Sequence, residues 1–126
     1  MSNAELTKYW FDSAEKDWGV AQLLFASKKY MHCLFFGHIT LEKILKGIIT
    51  KKGKEVPLKH DLVLLAEQAE INLTTEQAEL LSEINAFNIR ARYDNFKNSF
   101  YKRATLAYTK KYIDSIKNLR LWLKKQ

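Results

Sequence analysis

The chain has 126 residues, of which 47% are hydrophobic and 28% charged, with a net charge of +7 at pH 7. This composition predicts one folded domain spanning residues 1–126 and excludes a disordered chain. One cysteine excludes an internal disulfide, and no apolar run approaches the roughly 18–20 residues of a membrane span. We therefore expect a cytoplasmic protein with no membrane role.

Helices are favoured over a many-turned β fold because the chain has only four glycines and one proline. The first helix is predicted from about Ala4 to Ser27, where apolar residues recur at intervals of three and four. The second is predicted from about Tyr30 to Lys52, with Gly53 placed to end it. Apolar residues cover most of the second helix, which indicates a central position in the fold.

Two shorter helices follow the Lys/Gly-rich turn that contains the only proline. The third is predicted from about Asp61 to Glu70, and the fourth from about Thr75 to Phe87. Thr74 and Gln77 have the spacing of a capping box, which predicts the start of the fourth helix.

The stretch from Asn88 to Asn98 has no clear periodicity, although it could continue the fourth helix for one turn. The last helix is predicted from about Phe100 to Leu123, with an apolar stripe on one face. Short connections between consecutive helices favour antiparallel neighbours. The predicted fold is an all-α, up-and-down bundle of about five helices.

Positive charge is concentrated at the end of the chain. From Lys97 onward there are nine basic side chains and one acidic one, a net charge of +8, while residues 1–96 carry a net charge of −1. Such asymmetry can indicate a surface for nucleic acid or another polyanion. The alternative is a solvated helix face followed by a charged tail.

Several polar residues fall on otherwise apolar helix faces. We predict that they form a structural polar network, whose members are Asp17, Glu42, Lys46 and His60. The alternatives are a nucleotide site whose floor is formed by Asp17, Glu42 and Lys46, and a general acid–base role for His60. No cysteine and histidine spacing indicates zinc, and we predict neither a metal nor a cofactor.

Cations and aromatic residues are interleaved around the irregular stretch. The candidate nucleotide- or RNA-binding residues are Arg90, Arg92, Tyr93, Lys97, Lys102 and Arg103. Guanidinium and ammonium groups suit phosphate contacts, and aromatic rings suit base stacking. The alternative is a fold-closing turn whose aromatic side chains fill the core and whose cations face water.

Four segments in order along the chain resemble the HEPN domain family. They are Ala14-Glu15 with Asp17 in the first helix, Leu41-Glu42-Lys43-Ile44-Leu45-Lys46 in the second, the Pro-x-x-His-Asp-Leu segment at Pro57–Leu62, and Arg92-Tyr93-Asp94. The last segment is similar to an Arg-Tyr-Pro-Asp element of the family, without its proline. The resemblance covers nearly the whole chain.

The resemblance implies a homodimeric helical bundle whose partners are RNA, nucleotides or a small nucleotidyltransferase encoded nearby. It also implies a place in a toxin–antitoxin-like or stress and defence system. Some family members are metal-independent ribonucleases, in which an arginine is followed, after four to six residues, by a histidine. The arginine would stabilise phosphate charge, and the histidine would act as acid or base.

This sequence departs from the ribonuclease pattern. Counted from Arg92 or from Arg90, the positions where the histidine would stand hold other residues, and His32, His38 and His60 all lie upstream. We therefore assign no catalytic residue and predict a non-catalytic nucleotide- or RNA-binding module. The alternatives are a ribonuclease toxin with a rearranged site and a dimeric protein-interaction module.

Overall fold

The protein is an all-α bundle, as the sequence predicts. The computed structural model describes residues 1–95 and 98–126. This part of the chain contains six helices: α1 Asn3–Ala26, α2 Tyr30–Lys51, α3 Leu62–Gln68, α4 Thr75–Arg92, α5 Ser99–Arg103 and α6 Leu106–Leu123. None of the described helices is long and apolar enough to cross a membrane.

Helix α2 is the centre of the bundle. It contacts α1, α3, α4, α5 and α6, and 14 of its 22 residues are buried. Its apolar side chains, which cover most of its circumference, are therefore used in packing against several neighbours. Gly53 follows the helix with a φ of +77°, so the predicted glycine terminates α2 through a left-handed conformation.

Two glycines of α2 allow its neighbours to approach closely. A Cβ atom at Gly37 would lie 2.7 Å from the Cδ1 atom of Ile116 on α6. A Cβ atom at Gly47 would lie 2.8 Å from the ring of Phe11 on α1. Both distances are shorter than ordinary carbon contacts. The lack of a side chain at each glycine therefore allows the observed spacing of α2 from α1 and α6.

The fourth helix begins where the sequence predicts and ends later. Thr74 and Gln77 form the predicted capping box, with Gln77 N donating to Thr74 Oγ1 at 3.1 Å. The helix continues past the predicted end at Phe87 to Arg92. Phe87 and Asn88 are buried at this point of the helix, which keeps its later turns packed against the core.

The predicted last helix is divided in two, and this corrects the count from about five helices to six in the described part of the chain. Thr105 has an extended backbone, and its hydroxyl oxygen accepts a hydrogen bond from Tyr108 N. This side chain therefore caps the start of α6 and separates it from α5. The apolar stripe continues across the break because Phe100, Ala104 and Tyr112 are all buried.

Candidate functional site

The turn between α4 and α5 is held by side chains that accept backbone hydrogen bonds. Asp94 accepts from Phe100 N at 3.0 Å and from Tyr101 N at 3.1 Å. Asn95 Oδ1 accepts from Ser99 N at 3.1 Å. Partial desolvation opposes ionisation of Asp94, but the backbone donors prevail and lower the pKa of its carboxyl group. Asp94 is therefore a charged structural cap.

A cavity of about 260 Å³ opens beside this turn, and we call it the arginine cavity. Its lining residues are Arg90, Tyr93, Asp94, Asn95, Ser99, Phe100 and Arg103. Arg90 comes from α4 and Arg103 from α5, so the turn brings two cations to one opening. Because a guanidinium group donates up to five hydrogen bonds and stays charged, this arrangement suits an anionic ligand.

The two arginines also line a neighbouring groove of about 630 Å³, which we call the tyrosine groove. Glu83, Tyr108 and Tyr112 contribute to its wall, and the Tyr112 hydroxyl donates to Glu83 Oε2 at 3.0 Å. Burial and the Glu83 carboxylate raise the pKa of Tyr112 to about 12. The tyrosine stays neutral at physiological pH and offers hydrogen bonds without charge.

The tyrosine groove contains residues that the sequence interpretation did not assign to a site. Tyr108 and Tyr112 fall within the predicted last helix, and Glu83 falls within the predicted fourth helix. A pair of tyrosines four residues apart on a helix lies on one face, so the spacing was available as a signal. Only the position of α4 shows that this face also borders a groove.

Three of the six predicted binding residues line the arginine cavity, namely Arg90, Tyr93 and Arg103. Arg92 lies elsewhere: its guanidinium carbon is 5.0 Å from the centre of the Phe35 ring on α2. Lys102 is exposed on α5 and does not contribute to the cavity lining among the described residues. Lys97 lies outside the described residues.

The predicted polar network is centred on Glu42. Its Oε2 atom accepts from Lys46 Nζ at 2.9 Å, and its Oε1 atom lies 3.0 Å from His60 Nδ1. Glu42 and Lys46 are each 7% exposed. Lys46 Nζ also lies 5.5 Å from the centre of the Trp10 ring, a cation–π arrangement that adds a favourable contact to the buried charge.

Asp17, which the sequence places in that network, pairs with a different residue. Its Oδ2 atom lies 2.6 Å from Lys43 Nζ, and the same ammonium group donates to Ser13 Oγ at 2.8 Å. Asp17 therefore joins α1 to α2 through a separate, half-buried ion pair.

His38 is buried next to this network. Its Nε2 atom lies 3.0 Å from the carbonyl oxygen of His60, so Nε2 carries the proton in the neutral ring. Burial lowers the pKa of His38 below its ordinary value of 6.5, although the Glu42 charge acts in the opposite direction. His38 is therefore a neutral donor that holds the His60 backbone.

We expect the stability contributed by a neutral His38 to decrease in acid. The unfolded chain takes up a proton at His38 as the pH drops below about 6.5, while the folded chain resists it, so the free energy of unfolding falls. Thermal unfolding at pH 7.5 and 5.5 measures this change. The His38→Gln variant can still donate to the His60 carbonyl but does not titrate, and an equal acid effect in both proteins would contradict the assignment.

Within residues 1–95 and 98–126, no group of three or more histidine, cysteine, aspartate or glutamate side chains is arranged to hold a metal ion. No histidine is among the described residues that line the arginine cavity. The arrangement can bind and orient an anion with two guanidinium groups. It shows no paired acid and base on the described lining.

A family model described as the HEPN domain matches residues 7–126. Two solved structures share the fold. TT1696 from Thermus thermophilus has a TM-score of 0.81 and 16% identity, covering 94% of this chain and 96% of that one. ST0689, an archaeal HEPN homologue, has a TM-score of 0.78 and 20% identity, covering 95% and 96%. No curated protein matches the chain.

Proposed function

Because this chain belongs to the HEPN domain family, we propose that it is a non-catalytic module that binds nucleotide or RNA at the arginine cavity. The observation that carries the proposal is the convergence of Arg90 and Arg103 on one opening from two different helices. Two guanidinium groups at one site suit the non-bridging oxygens of a phosphate group.

Aromatic groups at the same opening support a nucleotide as the ligand. Tyr93 lines the cavity and is 76% exposed, so its ring is available for base stacking. Phe100 lines the cavity from its buried side. A phosphate held by the arginines and a base stacked on Tyr93 would use both kinds of contact that single-stranded RNA offers.

The proposal is for binding without catalysis. Metal-independent cleavage needs an acid or base positioned beside the phosphate, and the chain has no histidine four to six residues after Arg90 or Arg92. Arg90 and Arg103 provide charge stabilisation without an acid or base, which supports recognition of RNA or nucleotide.

We also propose that the module acts as a homodimer, with a nucleotidyltransferase as a further partner. The family resemblance implies both partners. Exposed apolar side chains near the cavity support a surface that a partner protein covers. Ile89, Tyr93 and Tyr101 are each more than half exposed. Tyr93 follows Ile89 by one helical turn, so these two side chains are neighbours, and grouped exposed apolar side chains are typical of interaction surfaces.

The test is fluorescence anisotropy with labelled single-stranded RNA. We expect the Arg90→Ala/Arg103→Ala double variant to bind at least about tenfold more weakly, because two charge-assisted contacts are lost. The slope of log affinity against log salt should also decrease by about 1.4 if each arginine neutralises one phosphate.

The matched control is Lys117→Ala/Lys125→Ala, which removes two exposed positive charges from the same basic segment. It should leave most of the affinity intact. Equal weakening in both double variants would indicate general electrostatics and contradict a defined site. RNA cleavage in EDTA that the arginine variant abolishes would instead establish the ribonuclease alternative.

A further inference from the structure

A second cavity lies beside α4, where the loop before α3 approaches it. It has a volume of about 230 Å³ and is lined by His60, Asp61, Asn85, Asn88 and Ile89. We call it the His60 cavity. None of these residues lines the arginine cavity, so the two are separate sites on the described part of the molecule.

The His60 ring is held in place although it is largely exposed. Its Nδ1 atom lies 3.0 Å from the buried carboxylate of Glu42, while 63% of the side chain is accessible to solvent. Because a carboxylate only accepts, Nδ1 donates and the neutral ring presents an acceptor at Nε2. The His60 carbonyl oxygen is also fixed by His38. The imidazole is therefore preorganised toward a ligand.

Asn88 provides the second recognition group. The rim residues Asp61 and Asn85 satisfy each other, with Asn85 Nδ2 donating to Asp61 Oδ1 at 2.9 Å. Asn88 differs because it is 7% exposed, and its Oδ1 atom has no hydrogen-bond partner among the described residues. A buried carbonyl oxygen without a partner costs free energy, and a ligand that donates a hydrogen bond to it would remove that cost.

Arg92 lies on the same face of α4 as this cavity. Residues three and four apart are neighbours on a helix, so Arg92 follows Asn88 and Ile89 about one turn, or roughly 6 Å, further along the axis. Its contact with Phe35 holds the guanidinium group over α2. The face therefore combines an amide, an imidazole, the apolar wall of Ile89 and a cation.

We propose that the His60 cavity binds the adenine base of a nucleotide, free or within single-stranded RNA, with a phosphate directed to Arg92. A carboxamide carries an adjacent donor and acceptor, which match N6–H and N7 of adenine. The inference takes its ligand class from the proposed function, but it uses residues outside the arginine cavity.

The experiment is NMR of the full chain, which monitors the Asn88 side-chain amide and the His60 ring during titration with AMP, UMP, hexa-adenylate and hexa-uridylate. We expect both sets of signals to shift with an adenine ligand. Affinity for it should exceed that for the uracil counterpart by about tenfold. Shifts with AMP would identify a free nucleotide as a sufficient ligand, and shifts with hexa-adenylate alone would identify RNA as the source.

Two variants make the result specific. Asn88→Leu is close in shape and removes only the amide, so it should fold and lose the adenine preference. Ile89→Glu places an acid on the exposed cavity wall and should weaken adenine binding by about tenfold or more, through repulsion of the phosphate. Its matched control is Leu23→Glu, an equivalent change at a 70% exposed position on α1, which should not alter binding.

The outcomes separate this inference from the proposed function. If the Asn88 and His60 signals remain unchanged while RNA binding still requires Arg90 and Arg103, the His60 cavity is refuted and the arginine cavity stands. If those signals shift equally for adenine and uracil ligands, base recognition is refuted. If adenine shifts persist in the Arg90→Ala/Arg103→Ala variant and that variant binds RNA normally, the arginine cavity fails and the His60 cavity stands.

Discussion

Replacing Glu42 with alanine is expected to lower the free energy of unfolding by about 3–5 kcal/mol. The Lys46 ammonium group is buried against Glu42 and would remain as an unpaired charge. His60 would lose the carboxylate that holds its Nδ1 atom, and the loop before α3 would keep its backbone contact with His38 on α2. Urea unfolding at pH 7, followed by circular dichroism, measures the change.

The control for this prediction is Glu15→Ala. Glu15 pairs with Arg120 and Lys124, and 42% of its side chain is exposed; ion pairs of solvent-exposed groups contribute about 0–1 kcal/mol. A second variant, Glu42→Leu/Lys46→Leu, removes both buried charges and should recover most of the lost stability. An unchanged unfolding midpoint for Glu42→Ala would show that the pair has no structural role.

Replacing Phe87 with alanine is expected to cost about 3–5 kcal/mol, because loss of this buried ring would leave a cavity. Its ring centre lies 5.7 Å from that of Phe100 and 5.0 Å from that of Tyr112. Phe87 therefore connects α4 to both α5 and α6, and it lines the tyrosine groove. Thermal or urea unfolding measures the stability loss.

Phe87→Ala should also weaken RNA binding. Helix α5 carries Arg103, and its Phe100 packs on the Phe87 ring that the substitution removes. The control is Leu81→Ala, which removes a fully buried side chain from the same helix outside the cavity linings of the described residues. Both variants should lose stability, by about 2–5 kcal/mol for leucine. Equal RNA affinity of the two variants, measured where both are folded, would contradict the connection between Phe87 and the site.

Local signals account for most of the fold prediction. The Thr74 and Gln77 capping box and the position of Gly53 depend on neighbouring residues, and the structure confirms both. The sequence prediction misses the break before α6, because the apolar stripe continues on both sides of the exposed Thr105, at Ala104 and Tyr108. A capping threonine looks the same in sequence as a threonine inside a helix, and the turn is decided by how α5 packs.

The candidate site was predictable by region but not by residue. The sequence indicated the stretch from Arg90 to Arg103, and the structure places a cavity there. The sequence indicated Arg92 as readily as Arg90, although residues two apart are rotated by about 200° around the helix axis and point to nearly opposite sides. The sequence also grouped Asp17 with Glu42, since both are acids on apolar faces. RNA binding, the homodimer and the nucleotidyltransferase partner stay predictions.

The sequence by itself determined the all-α class, most helix limits and the family, because periodicity, caps and short motifs act between residues close along the chain. The tertiary structure alone decided which side chains come together: Glu42 with His60, Asp17 with Lys43, Arg92 with Phe35, and Arg90 with Arg103 at one cavity. These pairings depend on the rotation of each helix about its axis. That rotation is set by the simultaneous packing of buried faces from several helices around α2.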